Sequence, residues 1–423
     1  MTHWFHRHPL KPSLFIKFDG LQDVLTTDSA SKLCGELRLR RDQFLEKLRN
    51  ASNNCGEVEN DFDKYMKCMY GFVVEPTDET KKKDSKLRHL VKFTWGHTML
   101  GTEAFSVADA WFEILSMCVN MALYLMKHSA YLSQKEDMNE EECKIIFKSL
   151  RKAAGLFEYA QSYTEKVNGT TGTDIPYCDL DNNILEVYKQ QCLGEAQEIV
   201  MGKAIEDKHK AELIANLSYS TAKVFANCSA LIEKLPKNIF GKWNHYFKIK
   251  EEIYTIYAYA FLAEKCLAED KCGVAIACCK VAITHYDNAA DLCDKYPIAS
   301  GVGIIAKIKN HLFFRKMVPI LKRHLEKAER ENGFIYHQPV PAKDQIPSFA
   351  DSSPLAAKAE PYELPLDSEI WNDASYKSFD ITKAKMPDFA KIKKSSKKLK
   401  VVDEVTLYST EKDRNNKSGC TIS

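Results

Sequence analysis

The 423-residue chain closes on Cys420-Thr421-Ile422-Ser423. A thiol four residues from a free carboxylate, followed by two positions tolerant of aliphatic groups and a terminal Ser, is what a protein prenyltransferase accepts, and the terminal Ser favours farnesyl. Ser418-Gly419 and the polar residues before them supply the flexibility such a substrate needs. A single lipid chain anchors only marginally, so stable attachment asks for a second signal. The lysines upstream supply one: eight of them lie between Lys383 and Lys400, against one acid, Asp388. Lys391, Lys393, Lys394, Lys397, Lys398 and Lys400 are the expected electrostatic contacts with an anionic leaflet, each worth about 1 kcal/mol near the surface. Cysteine and lysines together predict a cytoplasmic protein held on a membrane through a prenylated tail.

Other chemistry is weakly supported. Gly301-Val302-Gly303-Ile304-Ile305-Ala306 has the Gly-x-Gly-x-x-Ala spacing of a dinucleotide site. It follows a helical stretch and a Tyr-Pro turn, whereas the fingerprint needs a strand before it and a helix N-terminus to meet the pyrophosphate. Ser29-Ala30-Ser31-Lys32 and Ser220-Thr221-Ala222-Lys223 match Ser-x-x-Lys without the companion motifs of a hydrolase. His3, His6 and His8 sit among Trp and Phe and read as structural. The fourteen cysteines form no CxxC pair, so a zinc site is not expected; scattered among apolar residues, they read as reduced core thiols of a cytosolic chain. No catalytic residue, cofactor or metal is expected. A net charge of +2 gives no case for nucleic-acid binding.

The elements that must position these residues are helical. Apolar residues recur at 3–4 spacing over 32–49 and 58–73, with Asp28 or Ser29 as an N-cap for the first. Leu14–Phe18 is expected to form a short strand, and Thr94-Trp95 to lead into a loop. Residues 106–132 are apolar nearly all round, as for a helix in the middle of a stack. Their most apolar stretch, Ile114–Met126, is 13 residues long and contains Asn120; about 20 are needed to span a bilayer, so no transmembrane segment is expected. The N-terminus has no apolar run of a signal peptide. Helices follow over 139–163, 180–208, 211–235, 242–269, 273–295 and 303–332, the last capped by Gly333. Pairs of helices with small residues at Ala258, Ala260, Ala263, Ala275 and Ala282 and aromatics between them read as tetratricopeptide-like repeats. Six prolines between Pro339 and Pro365 exclude a continuous helix there, but Tyr362, Leu364, Ile370 and Trp371 favour a strap lying back on the domain. The expected organisation is one all-α domain over 1–375, its Pro-rich strap at about 339–375, and a basic disordered tail over 376–423.

Four segments, Met1-Thr2-His3-Trp4-Phe5-His6-Arg7, Glu195-Ala196-Gln197-Glu198, Lys271-Cys272-Gly273-Val274-Ala275-Ile276 and Glu331-Asn332-Gly333-Phe334-Ile335-Tyr336-His337, resemble the BRO domain family over about residues 1–375. The resemblance implies a curved helical domain on a tetratricopeptide-like core, with short N-terminal strands. It also implies an apolar patch that takes the C-terminal amphipathic helix of ESCRT-III subunits, the charged multivesicular body proteins. Carried onto this sequence, the patch is Val200, Lys203, Leu213 and Leu217 with Tyr336; many family members have an aromatic where Val200 stands. Spacing alone places Val200, Leu213 and Leu217 in the core. The resemblance thus implies a non-enzymatic adaptor at membranes such as the nuclear envelope or endosomes. Two other readings stay open: an enzyme using a reactive cysteine on a helical scaffold, and a general repeat scaffold for an unrelated peptide.

Overall fold

The computed structural model describes residues 5–18, 21, 23–76, 83–134, 138–168, 178–303, 312–349, 357–384 and 397–405. Ten α-helices lie among them: α1 (Asp28–Leu48), α2 (Cys55–Val73), α3 (Ala110–Leu132), α4 (Glu140–Asn168), α5 (Asn182–Glu206), α6 (Ala211–Glu233), α7 (Lys237–Ala268), α8 (Cys272–Lys295), α9 (Leu312–Glu331) and the short α10 (Asp373–Lys377). From α3 to α9 each helix packs mainly on its neighbour in the chain, the order expected where short turns join antiparallel helices.

α3 is the centre of the stack. Every residue from Ala110 to Ala130 is buried, which explains its lack of a polar face. Asp109 caps it, accepting from Trp111 N–H at 2.9 Å, and holds the Arg88 guanidinium at 2.9 and 2.7 Å. Asn120, the one amide in the apolar run, accepts the Lys11 N–H at 2.9 Å. The N-terminal segment therefore threads through the interior: Phe5, His6, Arg7, His8, Leu10 and Lys11 are all buried.

Ion pairs make that threading tolerable, because an unpaired charge in such surroundings is costly. Arg7 makes a two-pronged pair with Glu195 of α5 at 2.9 and 2.8 Å, and Lys11 reaches Asp179 at 2.8 Å. Glu195 also accepts from Gln191 and from Tyr246 of α7, both at 2.8 Å, and Glu198 accepts from Lys250 at 2.9 Å. The Glu195-Ala196-Gln197-Glu198 block thus ties the N-terminus, α5 and α7 together.

Several local expectations change. Thr27, not Asp28 or Ser29, caps α1, accepting from Ala30 N–H. In place of the strand expected over 14–18, only single bridges form, Ser13 with Trp95 and, within that stretch, Lys17 with Lys92. Strands form in stretches expected to be loop, the start of a helix and disordered tail: β1 (Phe93–Gly96) pairs antiparallel with β2 (Glu103–Val107), and β2 with the two-residue β3 (Lys397–Lys398). Gly333 is not a left-handed cap; the chain leaves α9 through one wide turn, Asn332–Tyr336, and His337 takes the left-handed conformation. Gly301 and Gly303 do have φ of +126° and +121°. They lie against α7 and His6, where a Cβ on Gly303 would stand 2.0 Å from the His6 ring, so their spacing reflects close packing, not phosphate binding.

Past residue 357 the chain crosses α4 and α2. Glu360 N–H bonds Arg151 O at 3.0 Å, and the Tyr362 ring meets Phe62 and Tyr159 at 5.7 and 4.9 Å. Trp371 is buried over Gly71, its Nε1–H shared between Lys67 O and Cys68 O at 3.0 and 3.1 Å. Tyr376 and Phe379 are buried as well, so the packed unit continues beyond residue 375.

Candidate partner surface on helices α5 and α6

Val200 and Lys203 occupy the last two turns of α5, Leu213 and Leu217 the first two of α6, joined by the turn Asp207–Lys210. The interior holds α5 at its middle, through Glu195 and Glu198, and in its last two turns Met201, Gly202 and Ala204 remain buried. Val200 is half-buried and Lys203 exposed. Leu213 is 44% exposed, while Ile214 and Ala215 after it are buried. Leu217 is 9% exposed and belongs to the main core, so it offers little surface of its own. The spacing argument for core positions therefore holds at Leu217 and fails at Leu213.

The charges around the leucine are already paired within the chain. Lys203 meets Asp207 at 3.0 Å, and this hydrogen bond pushes its ammonium above the ordinary lysine range. Glu212 meets Lys265 of α7 at 2.7 Å. Both pairs are exposed enough to exchange for a partner's charges at small cost. Tyr336 stands elsewhere, packed on the second apolar cluster, with its hydroxyl donating to Asp270 of the α7–α8 turn at 2.6 Å. Phe334 and Ile335, its neighbours in the same motif, are 82% and 65% exposed. Val200 and Lys203 thus lie near the end of α5, exposed Leu213 and buried Leu217 at the start of α6, and Tyr336 at a separate turn after α9.

Sequence reasoning did not single out Phe334 and Ile335, although the quoted motif contained them; an apolar pair beside a helix-ending Asn-Gly was the available signal. Lys127 and Glu404 were also missed, because nothing local marks two residues 277 apart as a pair. Of the membrane-directed residues, Cys420, Lys391, Lys393 and Lys394 lie outside the described residues, as does the side chain of Lys397; Lys398 and Lys400 are exposed.

Among the described residues the buried thiols have little of the character of nucleophiles. Burial pushes Cys34 and Cys279 up to about 12 and Cys68 and Cys178 up to about 11, and it does the same to Cys55, to about 12. Such thiols are scarcely ionised at neutral pH. Cys266, drawn down by a hydrogen bond with Cys278, is itself buried in the second cluster. His6 and His8 are buried against Tyr296 and Tyr188, and no group of His, Cys, Asp or Glu suited to a metal occurs among the described residues. Among them, too, no helix is long and apolar enough to cross a membrane.

Comparison with known proteins agrees with this architecture. A BRO1 domain-containing protein BROX homolog of Caenorhabditis elegans is 44% identical over 431 residues, covering all of both chains. The BROX protein of Homo sapiens is 37% identical over 389 residues, 92% of this chain and 93% of that one. A solved complex described as ALIX BRO1 with CHMP4C superposes with a TM-score of 0.66 at 19% identity, over 84% of this chain and 95% of the other. The BRO1-like domain itself matches residues 40–392, and with relatives of this identity along its whole length the chain belongs to the BRO1-like domain family.

Proposed function

We propose that this protein is a membrane-tethered adaptor that seats the C-terminal amphipathic helix of an ESCRT-III subunit, a charged multivesicular body protein, across the end of α5 and the start of α6. The observation that carries the reading is Leu213, a leucine 44% exposed at the start of α6, with half-buried Val200 and exposed Lys203 near the end of the preceding helix α5. A leucine on one helix with an apolar neighbour on the next is the anchor pattern of a helix-in-groove interface, and burying a leucine contributes about 2 kcal/mol. The description of the ALIX BRO1 structure as a complex with CHMP4C supports this class of partner. Lys203 then trades Asp207 for an acidic residue of the incoming helix, Leu217 backs the site, and Tyr336 with its motif contributes from the turn after α9. A farnesyl group on Cys420 and the lysines of residues 391–400 hold the adaptor on an anionic membrane, endosomal or nuclear.

The test is capture of a C-terminal amphipathic ESCRT-III peptide by the full chain and by Leu213→Asp, each with Cys420 intact or changed to Ser. Leu213→Asp is expected to lose capture at least tenfold while its melting temperature stays within a few degrees, since the position is exposed. Cys420→Ser is expected to capture peptide normally and to stop floating with vesicles after prenylation. Undiminished capture by Leu213→Asp would show that the partner sits elsewhere.

A further inference from the structure

The described residues end in a segment that lies on the domain. Lys397 and Lys398 pair with Ala104 and Glu103 of β2, and Leu399 N–H bonds Thr102 O at 2.8 Å. The chain then crosses to the C-terminal end of α1. There the Arg49 guanidinium donates from Nε to Asp403 O at 2.7 Å, and Arg49 O accepts the Val405 N–H at 3.0 Å. Side chains alternate along this stretch as in a strand: Val401, Asp403 and Val405 face out, while Val402 and Glu404 are half-buried and Val402 packs on the main core.

Glu404 enters a site built for a carboxylate. Its Oε1 accepts the Leu10 N–H at 2.7 Å, and its Oε2 pairs with the Lys127 ammonium. Lys127 belongs to α3 and is 7% exposed. Burial pulls its ammonium below the ordinary lysine range, and Glu404 opposes that pull. A buried ammonium without its partner is strongly unfavourable, so the fold at Lys127 calls for an acid. Beside this contact, a cleft of about 330 Å³ runs between Leu10–Phe15 and Arg41–Arg49, with Lys400, Val402 and Asp403 on its wall.

We propose that the surface made by the Leu10 main chain, Lys127 of α3 and Arg49 at the end of α1, beside that cleft, is a receptor for an extended acidic segment of Val-x-Glu pattern, and that Val401–Val405 of the same chain is its resident ligand. The main-chain clamp at Arg49 supplies register, the Val402 pocket and the Lys127–Leu10 carboxylate site supply selectivity, as in strand-type peptide recognition. The consequence for the tether rests on prenylation of Cys420. With the segment seated, only residues 406–420, fifteen in all, separate the domain from the lipid, a span of at most about 50 Å. Released back to Ala384, the same anchor is 36 residues away, at most about 120 Å. Occupancy of the receptor therefore sets how closely the domain is held to the membrane, and a competing acidic segment would lengthen the leash.

The experiment uses the full chain and Glu404→Lys, which places like charge against Lys127 without touching the domain. Amide exchange at Leu399 and Val405 is expected to speed at least tenfold in the variant, with the melting transition of the domain retained. A labelled peptide spanning residues 397–405 is expected to bind the variant in trans and not the wild type, and its Glu404→Gln form to bind at least tenfold more weakly. Equal exchange in the two proteins, or absence of peptide binding to the variant, would overturn the receptor. The prenylated proteins on phosphatidylcholine vesicles then report the leash: energy transfer from a donor beside Arg49 to a lipid dye is expected to fall in Glu404→Lys. Unchanged transfer would overturn the tether consequence. Failure of both proteins to bind vesicles would instead refute the prenyl anchor and leave the solution results standing.

Discussion

His6 and His8 meet nitrogen to nitrogen, Nε2 to Nε2 at 3.1 Å, with Tyr296 OH 2.8 Å from Nδ1 of His6 and Tyr188 OH 2.9 Å from Nδ1 of His8. One proton fits between the two Nε2 atoms. If His6 carries it, His6 Nδ1 accepts from Tyr296 and His8 Nδ1–H donates to Tyr188; the opposite assignment works equally well, and both keep the rings neutral. Burial, with Arg7 and each other nearby, drives His6 well below the usual histidine range, and burial lowers His8 to about 3. The unfolded chain takes up these protons near pH 6.5 while the folded chain refuses them, so the unfolded state binds more protons and stability falls as pH drops from about 6.5 towards 3. Each unit of depression corresponds to about 1.4 kcal/mol, so the pair makes the fold acid-sensitive. Urea melts at pH 7 and pH 4.5 should show this loss, and His8→Gln, weaker at pH 7, should lose less on acidification. Parallel losses would move the sensitivity to other buried groups such as His97 and His128, which burial also lowers. At this scale the sequence was partly legible. The bland reading of the histidines, against a metal, rested on the Trp and Phe around them. Their partners, 180 and 290 residues away, leave no trace in local spacing.

The strap shows where element-level reasoning succeeds and where it stops. Long helices were readable because a buried face repeats every three to four residues. The aromatic cluster past Pro361 could be assigned to a surface because exposing it costs more than ordering it. What could not be read is how α4 and α2 make room. Gly155, in the middle of α4, lets the strap carbonyl approach: a Cβ there would stand 1.7 Å from Glu360 O. Helix propensity alone predicts that Gly155→Ala stabilises by up to about 1 kcal/mol; the collision predicts the reverse. Gly155→Ala is expected to lower the melting temperature and to open residues 357–366 to limited proteolysis, with the helical circular dichroism preserved. A stabilised Gly155→Ala would show that the strap does not press on α4. Trp371→Ala, which vacates the site over Gly71 and two carbonyls, is expected to cost about 3–5 kcal/mol by equilibrium denaturation. The strands escaped for a related reason. β1 is buried at all four positions, and β2 at four of five, so no period of two marks them, and their pairing is visible only in three dimensions.

For the whole molecule, the proposed tether asks how a chain of net charge +2 would hold an anionic surface at all. Balance over 423 residues says nothing about a local cluster, and the lysines from 391 to 400 are such a cluster. The structure adds that its end is carried by the domain: Lys398 and Lys400 are exposed on the seated segment, next to β2. Charges fixed on a folded surface keep their spacing as the chain approaches a leaflet, whereas charges on a free tail lose entropy to do so. The family and the stack of helices were legible from motifs and periodicity. The return of residues 397–405 to the domain was not, because a short basic-then-acidic run reads as solvated until Lys127, far away in the chain, is seen waiting for an acid. If lipid and lysines act together, changing Lys391, Lys393 and Lys394 to Gln in the prenylated protein removes about 3 kcal/mol of attraction, roughly a hundredfold in partition onto phosphatidylserine vesicles. The loss should shrink on raising salt from about 0.1 M to 1 M, where the Debye length falls from about 10 Å to about 3 Å, and should be absent on neutral vesicles. A triple variant that partitions as the wild type at low salt would assign membrane attachment to the lipid alone, and the lysines to a solvated linker between the strap and the seated segment.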